Sequence, residues 1–402
     1  MPGKATRRTR RRLSVAGMRQ EGAASEIWSS KLAAAQSSAL ALGRRSIGES
    51  INIRPYGASE REKWESLVAS AEDATTGHLW EWGQIINDAY RFRPFYLVAE
   101  DDSGSAIAGA PFVWIRSALY GSELTSLPYM DYGGVCHADW LSPQQSTDID
   151  FEIYRAARDL AQSLGAKRVQ IRSPQAWGMP FECSTEKVTQ HLALCASVDE
   201  QRRRLPSERR NRLKKCSQFG LTSETVPVTD TLALAQFYSV YSENMRDLGS
   251  PTHSFGFFKS IASHLKDWLK LIMIRHKGQT IASGMAFTFR GTMSLPWTGA
   301  TIAARPVYGT NAMYWAGISL GIEQRCHTFD FGRSTFGSGI YEFKRQWGPS
   351  PVQAYWNTLY LKPGAKSPKQ RKELQLASRV WSHLPLALSR MIGPVLRRGI
   401  SN

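Results

Sequence analysis

The chain spells one order of elements twice. After residue 51, a helical pattern over 60–68 and a second over 80–90 precede strands at 95–99, 106–115 and 119–127. An amphipathic helix follows, with Ile153, Ala157, Leu160, Ala161 and Leu164 on one face, and Gly165 stops it before a strand at 167–172. The second half repeats helix, helix, three strands, helix and strand at 232–245, 255–265, 269–275, 280–290, 292–297, 311–324 and 327–331. Even the first hairpin turns correspond, Asp101 to Gly104 in one half and Lys277-Gly278 in the other. A helix must bury a stripe and a strand a face, so the repeated order predicts two copies of one α+β unit. The groove between such copies is the expected ligand site. The units fall at 51–200 and 221–362, joined by a basic connecting helix at 201–220 and flanked by tails at 1–50 and 363–402.

At 402 residues, 42% of them hydrophobic, the chain is long enough for two ordinary cores. Its five cysteines (Cys136, Cys183, Cys195, Cys216, Cys326) are odd in number and form no CxxC, which argues against a disulfide framework or zinc ribbon and for a reducing, cytoplasmic setting. Cys326 and His327 adjoin, but a metal site needs convergent ligands at usable spacing, so neither metal nor cofactor is expected. The net charge of +17 is segregated, with +7 in residues 1–50, +7 in 201–216 and +8 in 361–402, leaving −5 for the rest. Contact with RNA or anionic lipid is therefore expected of particular segments and not of the whole surface. No apolar run reaches the roughly 18 residues of a spanning helix. The arginine-rich start leads into charged residues where a signal peptide would have its apolar region, so 1–50 reads as a mostly disordered basic tail with a short helix near 27–42.

The sharpest departure from core patterning is Asp330 to Gly348, DFGRSTFGSGIYEFKRQWG. Phe329 and Phe331 alternate with Asp330 like a half-buried strand. Gly332, Gly337 and Gly339 permit φ > 0 or close backbone approach, and Lys344 and Arg345 then fall among Tyr341, Phe343 and Trp347. A glycine loop carrying cations over aromatics suits an anionic or acyl-bearing substrate. A strand, a turn and a second strand with a snorkelling lysine fits the same residues.

This segment resembles the C-terminal signature of FemAB-like proteins, in the branch associated with PEP-CTERM and exosortase systems. Ser126 to Val135 (SLPYMDYGGV), Arg209 to Leu221 (RRNRLKKCSQFGL), Asn244 to Phe258 (NMRDLGSPTHSFGFF) and Ser367 to Pro394 resemble that branch in the same order. The resemblance implies an α+β fold of two tandem GNAT-like domains, related to acyl-CoA N-acyltransferases. It also implies transfer of an amino acid from aminoacyl-tRNA to an amine, typically on a peptidoglycan-precursor peptide. The donor ester is already activated, so such an enzyme needs positioning, a route for the amine proton and a cation where the carbonyl oxygen gains charge. Lys344 in YEFK matches the family lysine and is expected to hold that oxyanion or an adjacent phosphate. Arg333 and Asp330 are expected beside it, with Asp330 orienting the arginine or the incoming amine. The same resemblance puts Asn244 and Arg246 at a nucleotide-linked or lipid-linked phosphate, where an arginine fork binds bidentately.

Tyr341, Phe343, Tyr132, Trp297 and Asn311 are the expected substrate-groove residues, with Tyr129, Asp131, Gly133, Gly134, Tyr314 and Trp315 as further candidate linings. On a helix, Arg209, Arg212 and Lys215 would share one side, facing RNA or lipid phosphate. The expected acceptor is a phosphorylated or lipid-linked glycan or peptide precursor of the cell envelope or an exopolysaccharide. Two other readings fit the chain. An acyl-CoA-dependent N-acyltransferase wants Q/R-x-x-G-x-G/A at a helix N-terminus, and Arg305 to Asn311 is one residue too long with Asn311 in the small-residue position. A non-catalytic membrane-surface adaptor of polysaccharide export would use the C-terminal segment, where Val380, Met391 and Val395 mix with Arg379, Arg390, Arg397 and Arg398 at the inner membrane face.

Overall fold

The computed structural model describes residues 51–117, 121–177, 180–362 and 371–401. The tail 1–50, with its expected helix at 27–42, lies outside them. The first half runs β1 (Asn52–Tyr56), α1 (Arg61–Ser70), α2 (Glu81–Tyr90), β2 (Arg93–Glu100), β3 (Ala106–Ser117), β4 (Gly121–Ser126), a two-residue β5 (Cys136–His137), α3 (Pro143–Ser163), β6 (Arg168–Ser173) and β7 (Glu182–Ala193). Helices α4 (Val198–Arg204) and α5 (Ser207–Gln218) lead into the second half. There follow β8 (Thr222–Pro227), α6 (Thr231–Asp247), α7 (Phe255–His264), β9 (Leu269–His276), β10 (Gln279–Phe289), β11 (Thr292–Ala300), α8 (Gly309–Glu323), β12 (Thr328–Asp330), β13 (Ser334–Thr335), α9 (Gly339–Arg345) and β14 (Ser350–Tyr360). Two further helices, α10 (Arg371–Ser382) and α11 (Leu386–Arg397), close the described chain. The fold is mixed α+β with the element order repeated.

Local signals account for the helix starts. Ser142 accepts from Gln145 N ahead of Pro143 to open α3, Asp230 accepts from Ala233 N at α6, and Ser254 accepts from Phe257 N at α7. The expected glycine loop around Lys344 is corrected by the same logic: Gly337 takes φ +72°, Ser338 accepts from Tyr341 N, and residues 339–345 form α9, which carries Lys344 in its last turn. Four strands have no clear sequence signal. In β8 five of six residues are exposed, β1 contains Pro55 at a sheet edge, and β7 and β14 are rich in Ser, Thr, Glu and Gln, so none shows a clean apolar alternation.

Two of these strands join the halves. The sheet runs β1-β2-β3-β4-β6-β14-β7-β12-β11-β10-β9-β8. Strand β14, late in sequence, pairs with β6 from Tyr355↔Ser173 to Tyr360↔Arg168, while β7, from the first half, pairs with β12 at Thr328↔Ala193. Each half thus completes its sheet with the other's last strand, and β14 and β7 pair with each other between them. A shared core reinforces the junction: Trp82 of α2 lies 6.0 Å from Trp297 of β11, and Tyr90 lies 5.5 Å from Phe257 of α7, by ring centroids.

Candidate functional site

Strands β11 and β12 are parallel and pair only from Thr292↔Thr328 to Ser294↔Asp330. Strand β11 continues to Ala300, while the other chain turns away at Gly332, whose φ of +70° a side chain would strain. The divergence opens a cavity of about 400 Å³ between the halves, floored by Trp297 and Tyr314 and walled from the first half by Tyr129, Asp131 and Tyr132. Close packing of the second wall requires glycine at 299, where a Cβ would meet the Tyr241 Cα at 2.7 Å.

Lys344 reaches this cavity from α9 and is only 4% exposed. Its Nζ donates to the carbonyl oxygens of Gly332 (2.9 Å) and Arg333 (3.0 Å), so an ammonium has one N–H left for another acceptor. Burial pushes its pKa down to about 8, with the charge of Arg333 adding to the fall and Asp131 and Asp330 opposing it. Arg333 also lines the cavity, but the expected Asp330–Arg333 pair does not form. Its backbone N donates to Asp131 Oδ2 at 3.0 Å and its Nε lies 3.4 Å from Asp131 Oδ1, across the two halves. Asp330 instead accepts from Gly332 N at 2.8 Å and faces His191 Nε2 at 3.6 Å. The reason is geometric: the turn at Gly332 sends residues 330 and 333 to different walls. The Tyr132 hydroxyl, 2.6 Å from Thr189 Oγ1, is pushed well above its ordinary pKa by burial and then by Asp330, so it serves as a neutral hydrogen-bonding group.

Of the other expected residues, Asn244 and Trp297 line the cavity. Arg246 does not. Its Nε and Nη2 are both held by Asp247 Oδ1, at 2.9 and 2.7 Å, beside the end of α6. Tyr341 packs at a tilt against Phe336, and Phe343 packs on Tyr314 in the second core, so both support α9 and do not line the cavity.

The expected cationic face of α5 is likewise corrected. Arg209, 1% exposed, turns inward with Leu213 and Cys216, donating to Asn311 Oδ1 at 2.5 Å and to Gln346 Oε1. Helical phase explains this, since positions 209, 213 and 216 recur on one stripe while 212 and 215 lie on another. Asn311 is thereby committed to packing. Arg212 and Lys215 stay toward the surface, each 5.8 Å from the Tyr308 ring at the start of α8.

Cavity residues that sequence reasoning did not place there include Arg397 of α11, His253 in the turn before α7, and Ile340 of α9. His253 stands in the NMRDLGSPTHSFGFF stretch, which is a usable signal. No local pattern distinguishes Arg397 from the other cations of its segment.

Residues 201–345 match the family described as Acetyltransferase (GNAT) domain. No curated protein sequence matches the chain. Among solved structures, the chain is similar to FemX, at TM-score 0.60 and 11% identity, covering 81% of this chain and 100% of that one. It is also similar to L-PGS from Bacillus licheniformis (TM-score 0.51, 14% identity, 80% of this chain and 97% of that one). A tandem GNAT protein from the clavulanic acid biosynthesis pathway gives TM-score 0.51 at 10% identity over 78% of this chain and 100% of that one. The chain therefore carries the mixed α+β fold of tandem GNAT proteins, and its second half matches the acetyltransferase domain itself.

Proposed function

We propose that this protein is a transferase that moves an aminoacyl group from tRNA to an amine on a phosphorylated precursor, in the cavity between its halves. The observation that carries the reading is Lys344, buried at the cavity wall with two N–H groups fixed on backbone carbonyls and one free. The acceptor nitrogen attacks the ester carbon, the carbonyl oxygen becomes an oxyanion opposite that third N–H, and the C–O bond to the ribose then breaks. The proton lost by nitrogen leaves with the ribose oxygen. No covalent enzyme intermediate is required, because the ester is already activated. The FemAB resemblance and the likeness to FemX support the aminoacyl donor.

The GNAT domain match favours a second reading, acyl-CoA as donor. Against it stands the start of α8, where CoA pyrophosphate would need free backbone N–H groups. The Asn311 and Ala312 N–H groups both donate to Tyr308 O there, at 2.9 and 3.1 Å, and the Asn311 side chain is bonded to Arg209. Contact with an anionic membrane face belongs to the first reading, supported by Val380, Met391 and Val395, 59%, 69% and 68% exposed, with Arg379 exposed beside Val380, although Arg390 and Arg397 turn inward.

Binding of charged tRNA and of acetyl-CoA, each measured as a function of salt, separates the donors. The expected result is salt-sensitive tRNA binding whose log–log slope flattens by about 0.7–0.9 for each phosphate no longer neutralised in Arg212→Ala and Lys215→Ala. Arg209→Ala should lower the melting temperature instead. Micromolar acetyl-CoA binding with transfer to an amine, and no tRNA affinity at low salt, would establish the acyl-CoA reading in its place.

A further inference from the structure

The C-terminal segment is built into the cavity, not laid over it. Helix α11 turns Ser389 and Gly393 inward, and a Cβ at position 393 would meet Thr252 N at 3.1 Å. Arg390 is tied down through Nε to Ser242 Oγ at 2.8 Å. Beyond the helix, the Ser401 carbonyl accepts from Arg172 Nη2 at 2.6 Å and from Tyr129 N at 2.9 Å, and the Tyr129 hydroxyl donates to Arg398 O at 2.8 Å. At the end of this helix, Arg397 lines the cavity.

Arg397 is held in an unusual way. Its Nε donates to His253 Nε2 at 3.1 Å, and its guanidinium lies 5.5 Å from the Tyr129 ring centroid. An arginine only donates, so His253 must present a lone pair at Nε2 and carry its proton on Nδ1, toward the Tyr90 hydroxyl. Burial, then the Arg397 charge, hold His253 well below its ordinary pKa, which keeps it the neutral acceptor this arrangement needs. Among the described residues no carboxylate pairs with Arg397. Across the cavity, Arg333 Nη1 is buried with no hydrogen-bond partner. Among the described residues, Lys344, Arg333 and Arg397 thus face the cavity against only Asp131 and Asp330, with Arg172 behind, stacked 4.6 Å from the Trp356 ring that Arg333 approaches at 5.0 Å. Buried cations at this density, with guanidinium N–H groups left over, are short of an anion.

We propose that Arg397 and Arg333 together form a binding site for a phosphate or diphosphate group of the substrate, and that the C-terminal segment completes it, with His253 as the positioning residue for Arg397. The location rests on the cavity being the transfer site. The chemistry does not, because two guanidinium forks offer in-plane pairs of donors that match tetrahedral oxyanions whichever donor is used. A diphosphate of this kind occurs on nucleotide-linked and on lipid-linked precursors alike.

The test is equilibrium binding of inorganic pyrophosphate to the full chain by calorimetry, so a failure of the transfer reading leaves it readable. Wild type should bind, and Arg397→Gln and Arg333→Gln should each weaken binding at least ~10-fold, the size expected for a charge-assisted hydrogen-bonded pair. If Arg397→Gln melts lower than wild type, Arg397→Lys carries the same test, since it keeps the charge and stem but loses the fork. His253→Gln, whose amide oxygen can accept from Arg397, should retain binding that His253→Leu loses, which a purely packing role would not produce. UDP-N-acetylglucosamine displacing pyrophosphate would assign the site to nucleotide-linked substrates, and farnesyl diphosphate displacing it would assign it to lipid-linked ones. Absence of pyrophosphate binding to wild type, equal binding by the Arg397 variants, or displacement by neither probe would overturn the proposal.

Discussion

Lys344→Met is expected to lower kcat by ~100-fold or more, the usual loss when one preorganised donor to an oxyanion is removed. The fold should hardly notice. Burial pushes the Lys344 pKa from 10.5 to about 8, so charging it inside the protein costs roughly 3 kcal/mol near neutral pH, and Met removes that cost. Met also leaves the Gly332 and Arg333 carbonyls without their donor, at about 1–3 kcal/mol for a buried unsatisfied group. The two effects are similar in size and opposite in sign, so the melting temperature should move little while turnover collapses.

The pH behaviour follows from the same residue. Its third N–H exists only when Nζ is protonated, so wild-type kcat/KM should fall as pH rises through about 8, and this limb should be missing from the residual activity of Lys344→Met. Stability has the opposite trend. The folded form loses the proton before the unfolded form does, so the Lys344 contribution improves between pH 8 and 10.5. Near-wild-type turnover by Lys344→Met across this range would remove the residue from the chemistry.

Ending the chain at Gly348 is expected to abolish cooperative folding, a far larger effect than trimming a terminal strand ordinarily has. Strand β14 is interior to the sheet, bonded on one side to β6 and on the other to β7, and it carries the buried Ala354 and Trp356. Without it, both neighbours present unpaired edges and the first half loses the strand that closes its sheet. Residues 51–200 expressed alone should fail for the same reason. Circular dichroism and thermal unfolding decide the matter: a sigmoidal transition near the wild-type temperature for either truncated chain would refute the exchange of strands.

The sequence by itself determined the repeated order of elements, because helical and strand periodicities are local. Trp82, Ile85 and Ile86 of α2, or Leu271 and Met273 of β9, announce a buried face without knowing what covers it. It also marked the turn at Gly332 and singled out Lys344, through glycines and charges that packing alone does not require. Even locally the reading failed where composition hid the phase. On α5 nearly every position is cationic or polar, so only Leu213 and Cys216 could have indicated that Arg209 faces inward.

Tertiary structure alone decided which residues meet. Arg333 takes Asp131, 202 positions away, in preference to Asp330, and Arg397 finds His253 across 144. Strands β7 and β14, polar enough to pass for loops, become the centre of the sheet because each is hydrogen-bonded to strands of the other half. The physical reason is common to all three. A buried charge or an unpaired strand edge is satisfied by whichever partner the folded chain brings within about 3 Å, and sequence periodicity carries no information about partners that far apart.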